Sequence, residues 1–201
     1  MPLGLGGTAR YNLANLAGAA LVASALGVPA ATIASVAARF GAQRSDNPGR
    51  LERWRIGGAW VVVDYAHNPE GLQGLLEVAQ RLRGPEGRLA LLLGQAGNRA
   101  DVDIAQLARV AAAARPSRVV LKAIAGYLRG REEGEVARLL AHELASAGVA
   151  GDAIAVELSE VEAGRELVEW ARHGDVVVLP VHNLEARETL AGWLDQRAAE
   201  G

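Results

Sequence analysis

Ala59-Trp60-Val61-Val62-Val63-Asp64-Tyr65-Ala66-His67-Asn68-Pro69 is the stretch on which the reading of this chain turns. Trp60–Val63 is a short run of aromatic and β-branched residues, the composition of a buried strand. Asp64 falls where that strand ends, and Tyr65, Ala66, His67 and Asn68 form a turn. Pro69 suits the first position of a helix, where its missing N–H costs nothing. Polar groups at the carboxyl end of a buried strand, just ahead of a helix, stand where open α/β sheets bind ligands. The same residues also read as a polar turn that caps a helix.

Upstream, Leu51–Ile56 and Ala59–Asp64 flank Gly57-Gly58, which predicts a two-residue hairpin turn. Leu51, Arg53 and Arg55 alternate with Glu52, Trp54 and Ile56, as in an edge strand. Downstream, Glu70–Leu82 is helical, with Leu72, Leu75, Leu76 and Ala79 inward. From Arg88 onward strands and helices alternate. Strands are expected at Leu89–Leu93, Val119–Lys122, Ile154–Glu157 and Val176–Leu179. Helices are expected at Asp101–Ala114, Glu132–Ala147, Val161–Arg172 and in a last segment to Ala198. The pattern predicts an α/β fold, a Rossmann-like, mostly parallel sheet with helices on both faces. The loop Gly94–Arg99 carries glycines and precedes a helix, so it suits an anion. It lacks the Gly-x-Gly-x-x-Gly spacing of a dinucleotide fingerprint.

Ahead of this domain, residues 1–9 read as an irregular lead-in and Arg10–Leu26 as a helix ended by Gly27 and Pro29. Pro29–Phe40 is a second short helix. The polar loop Gly41–Gly49 is the natural hinge, which divides the chain into residues 1–45 and 46–201. Asn12 and Asn15 lie three apart and share a helix face.

Asp64-Tyr65-Ala66-His67-Asn68-Pro69, with Pro48-Gly49-Arg50 upstream, resembles the signature of the Mur ligase C-terminal domain. That family comprises the ATP-dependent amide ligases of peptidoglycan synthesis, folylpolyglutamate synthetase and cyanophycin synthetase. The resemblance implies a domain that closes over ATP and magnesium held mainly by a central ATPase domain. There a carboxylate is phosphorylated by ATP, and an amine attacks the acyl phosphate. Tyr11-Asn12-Leu13-Ala14-Asn15 is similar to the helix that closes that ATPase domain, which implies that Asn12 and Asn15 approach the adenine. Residues 1–45 would then be the last helices of the ATPase domain. Arg50, Asp64, Tyr65, His67 and Asn68 would serve the nucleotide. Asn98 and Arg99, in a Gly-x-x-x-x-Arg loop, would serve the incoming amino acid or growing peptide together with Arg129 and Arg131. Arg129-Gly130-Arg131-Glu132-Glu133 is most similar to cyanophycin synthetase; as bare residues they form a solvated charge run. The Gly-Lys-Gly-His-Glu motif of several peptidoglycan ligases is absent after Val176–Leu179. None of these residues is expected to transfer a proton in the reaction.

Composition bounds the alternatives. The chain has 201 residues, half of them hydrophobic, and a formal net charge of −2, which gives no electrostatic footprint for nucleic acid. It has no cysteine, which excludes disulfides and thiolate sites. No His/Asp/Glu spacing reads as a metal site; His173 and His182 stand far apart, and His142 reads as incidental. Lys122 is the single lysine, and no phosphate loop precedes it. The chain is therefore expected not to hydrolyse ATP alone. Leu13–Val28 is Ala/Leu-rich and faintly resembles a secretory signal, but Asn15 interrupts it and the basic leader is one arginine. No segment approaches the ~20 apolar residues of a membrane span, and the expected location is the cytoplasm. Residues 1–40, without the surface they would bury in an ATPase domain, are expected to be loosely ordered or packed on another copy. The alternatives are a peptidoglycan-precursor or folylpolyglutamate-type ligase and a non-catalytic binding module that keeps the fold.

Overall fold

Short apolar runs build most of a six-stranded sheet in the computed structural model, which describes residues 2–124 and 126–200. The chain divides into two units, Met1–Arg50 and Leu51–Gly201. In the second, the strands are β1 (Glu52–Ile56), β2 (Ala59–Asp64), β3 (Leu89–Leu93), β4 (Arg118–Leu121), β5 (Ile154–Val156) and β6 (Val176–Pro180). Their spatial order is β1-β2-β6-β3-β4-β5. Only the β1–β2 pair is antiparallel; every other pair is parallel. Gly57 and Gly58 turn the hairpin with φ of 54° and 78°, the left-handed pair that a two-residue turn demands. β1 is the edge expected from its alternation: Glu52 and Trp54 are buried, Arg53 and Arg55 exposed.

β2, β3 and β6 are buried along almost their whole length, because helices cover both faces. On one face Val61, Val63, Ala90, Leu92, Val120, Val177 and Leu179 form a core with Ala163, Leu167, Leu190 and Leu194. These last four belong to α6 (Glu160–Trp170) and α7 (Leu184–Ala199). The pleat turns Val62, Leu91, Val119, Leu121 and Val178 to the other face. That face is covered by α3 (Pro69–Leu82), α4 (Asp101–Ala113) and α5 (Glu135–Ser146), with Leu75, Ile104 and Leu140 fully buried. α5 starts three residues later than the sequence predicts. Gly134 takes a φ of 75° just before it, so the helix cannot extend back to Glu132.

At the amino end of the sheet, Asp175 accepts the Arg88 N–H at 2.7 Å and the Arg172 N–H at 2.9 Å. The Arg88 guanidinium pairs with the same carboxylate at 2.6 Å and stacks 3.7 Å over Trp170. Burial alone would raise this carboxyl's pKa; the bonds from Arg88 and Arg172 outweigh it and hold the value below the ordinary one.

The first unit has a 3₁₀ turn at Pro2–Gly7 where the sequence suggests only an irregular lead-in, then α1 (Arg10–Ala25) and α2 (Ala30–Arg39). Asp46 closes the following loop, accepting the Gly41 and Gln43 N–H groups at 3.1 and 3.0 Å. From Leu16 to Ala23 α1 is apolar on every side yet largely exposed, with Leu21 and Val22 each more than 60% accessible. Among the described residues no helix is long and apolar enough to cross a membrane.

Candidate functional site

β2 delivers Asp64 to the carboxyl end of the sheet, and the turn Tyr65–Asn68 then leads into α3 at Pro69. Asp64 is buried, and its Oδ2 accepts the Leu51 N–H at 2.8 Å. Leu51 holds a φ of 54°, unfavourable for a branched side chain, so this bond pins a strained residue just after Pro48-Gly49-Arg50. Asn68 is the N-cap of α3, its Oδ1 accepting the Gly71 N–H at 2.7 Å. The capping reading of Asn68 thus holds in the structure. His67 is half-buried, with Nδ1 3.2 Å from the Tyr65 carbonyl.

Two neighbouring loops hold the turn. After β3, Gln95 donates from Nε2 to the His67 carbonyl at 2.9 Å and accepts the Ala96 N–H at the same distance. After β6, His182 stands 2.9 Å by Nε2 from the Ala66 carbonyl, and its ring meets Tyr65 edge-on at 5.4 Å. His182 Nδ1 lies 3.0 Å from the Lys122 ammonium, which is fully buried just past β4 and pairs with Glu160 at the start of α6. Glu160 also accepts the His182 and Asn183 N–H groups at 2.8 and 2.9 Å. Burial lowers the Lys122 pKa to about 8, partly offset by Glu160. Burial first, and then the Lys122 charge, lowers His182 to about 3. At neutral pH the lysine is charged and the imidazole is neutral.

The profile of the Mur ligase, glutamate ligase domain family matches residues 49–180. The chain belongs to that family. It is 32% identical over 182 residues to the cyanophycin synthetase of Crocosphaera subtropica, covering 90% of this chain and 20% of that protein. It is also 32% identical over 185 residues to the UDP-N-acetylmuramoyl-L-alanyl-D-glutamate–2,6-diaminopimelate ligase of Chlorobaculum tepidum, covering 90% and 34%. Among solved structures, the folylpolyglutamate synthase of Mycobacterium tuberculosis complexed with ADP shares the fold. Its TM-score is 0.57 at 17% identity, over 81% of this chain and 35% of the other. The chain thus spans a fifth to a third of the length of these relatives.

In this Mur ligase domain the arginines expected at the substrate differ sharply from one another. Arg131 spends its guanidinium internally, on the Gly97 and Arg99 carbonyls, both at 2.9 Å, on Asp101 at 2.5 Å and on Glu135 at 2.6 Å. The Asp101 and Glu135 bonds raise its pKa above the ordinary value. Arg131 therefore splints the Gly94–Arg99 loop to the start of α5. Asn98, Arg99 and Arg129 are exposed, and the Arg129 guanidinium lies 5.0 Å from the Tyr127 ring centroid. In the first unit Asn12 is buried while Asn15 and Arg50 are exposed, although both asparagines sit on one helix face. Among the described residues no three His, Asp or Glu side chains gather in a way that would hold a metal ion.

Sequence reasoning passed over Lys122, Glu160 and His182 as a group. A faint signal existed. Lys122 follows Val120 by two positions, so strand alternation aims it at the buried α6/α7 face, where a lone lysine needs a carboxylate.

Proposed function

We propose that this chain acts as the C-terminal domain of an ATP-dependent amide ligase, closing over ATP and magnesium held mainly by a separate ATPase domain. What carries the reading is the family signature lying at the carboxyl end of β2, fastened to the loops after β3 and β6. A turn tied down on two sides keeps its geometry when it meets a ligand, which is what positioning catalysis requires. In the complete enzyme Asn12 and Asn15 would approach the adenine, and Arg50 the phosphates. Asp64, Tyr65, His67 and Asn68 would shape the nucleotide side of the crevice, with Asp64 and Asn68 acting partly through the backbone they hold. Asn98, Arg99 and Arg129 would face the incoming amino acid, and Arg131 would support them. The apolar, exposed Leu16–Ala23 part of α1 supports assigning residues 1–45 to the end of the ATPase domain, since a helical stretch apolar on all sides belongs in a larger core. Location in the cytoplasm, where ATP is available, belongs to the same reading.

A cyanophycin-synthetase-type ligase is preferred over a peptidoglycan-precursor ligase, on the Arg129–Glu133 stretch and on the absence of Gly-Lys-Gly-His-Glu. The test is ADP release. The chain alone with magnesium and ATP is expected to release none. Fused in place of the matching segment of the Crocosphaera enzyme, it is expected to restore amino-acid-dependent release. A folded fusion that binds ATP but releases no ADP in any amino acid would contradict the proposal.

A further inference from the structure

Lys122 is the largest of the fully buried side chains, and it is charged. Burying an ion pair is costly, and apolar replacements of similar volume are often as stable or more so. Packing alone therefore gives no reason for this lysine. Its surroundings are nonetheless shaped to admit it: a methyl group on Gly94 would come within 2.8 Å of both the Lys122 Cγ and its carbonyl.

The polarity of the contacts runs in one direction. The Ala66 carbonyl can only accept, so His182 Nε2 carries the proton at that 2.9 Å contact. The Lys122 ammonium can only donate, so Nδ1 accepts at 3.0 Å. Glu160 holds the ammonium from the other side and also receives the backbone N–H of His182. One imidazole orientation and one tautomer satisfy all of these at once. Through that ring the Ala66 carbonyl and the Tyr65 edge are both fixed.

We propose that Lys122, anchored by Glu160, is a positioning residue that locks the His182 imidazole in its Nε2–H form and thereby fixes the Tyr65–His67 turn. Its bearing on catalysis rests on the ligase reading of that turn; the lock itself does not.

Imidazole ¹⁵N spectra and backbone relaxation dispersion on the 201-residue chain test it. In the wild type, His182 is expected to stay a neutral Nε2–H tautomer from pH 8 to 5. In Lys122→Met the Glu160 carboxylate, 4.0 Å from Nδ1, faces the ring uncompensated. His182 should then titrate with a midpoint above about 6, near or above the ordinary histidine value. The Tyr65–Asn68 amides should gain millisecond exchange. Because a lone buried carboxylate threatens folding, Lys122→Met/Glu160→Gln serves as the second variant: no titration, but the same exchange at Tyr65–Asn68. A folded Lys122→Met with an unshifted His182, or a folded double variant with a turn as rigid as wild type, would overturn the proposal. Neither readout uses nucleotide or ligase activity, so it fails independently of the ADP-release test.

Discussion

The Leu51 N–H meets the Asp64 carboxylate across 2.8 Å, joining the residue after Pro48-Gly49-Arg50 to the last residue of β2. The bond lies wholly within the second unit, whose first residue is Leu51. Asp64 has one oxygen committed to the protein before any ligand arrives. Whatever it does for a nucleotide, it also sets where the chain enters β1.

Removing that acceptor has a predictable cost. Asp64→Ala leaves a buried N–H and a strained Leu51 without this bond, which should lower stability by about 1–3 kcal/mol. Asp64→Asn keeps an oxygen acceptor and should lose about half as much or less. Urea denaturation of the chain measures both. Equal stability of Asp64→Ala and wild type would make the bond incidental.

Asp175 does a comparable job at the opposite end of the sheet, where Arg88 and Arg172 converge on it. Its carboxyl is held below the ordinary value, so its stabilisation is present above the unfolded pKa and is lost as pH falls through the folded one. Asp175→Ala should cost about 2 kcal/mol or more, since several donors lose one acceptor together. The amide spectrum of Tyr65–Asn68 should be unchanged. Shifts in that turn would mean that the two ends of the sheet are coupled.

His182 gives the fold a distinct acid sensitivity. Folded, it resists protonation down to about pH 3; unfolded, it takes a proton near 6.5. Between those values the unfolded chain binds more protons, so stability falls as pH drops from 6.5 toward 3. At pH 5 this group alone should cost about 2 kcal/mol relative to pH 8. His182→Gln, which retains an N–H donor for Ala66, should lose that component. Parallel pH–stability curves for the two proteins would show that His182 is not the group responsible.

Much of this fold was legible because its signals are local. Trp60–Val63 and Leu89–Leu93 are short apolar runs with turn residues behind them, and both are buried strands. Gly57-Gly58 specified the hairpin through backbone freedom alone. The start of α5 was misread because the glutamates at 132 and 133 favour a helix, while Gly134 overrides them with a left-handed φ. At the candidate site, Asn68 could be read as a cap from its place before Pro69. Arg131 could not be read as internal, since its partners Asp101 and Gly97 are some 30 residues away in sequence. The Lys122–Glu160–His182 group was hidden for the same reason: its members follow three different strands, β4, β5 and β6, and only the strand order brings them together.

Under the proposed function, the signature turn would form one side of a nucleotide site whose other side lies on a separate domain. Amide spectra of the chain titrated with magnesium and ATP up to millimolar concentration test it directly. Binding is expected to be weak, in the millimolar range, with shifts concentrated at Arg50 and Tyr65–Asn68. No response is expected around Arg88 and Asp175 at the far end of the sheet. Submicromolar affinity, or shifts confined to that far end, would contradict it.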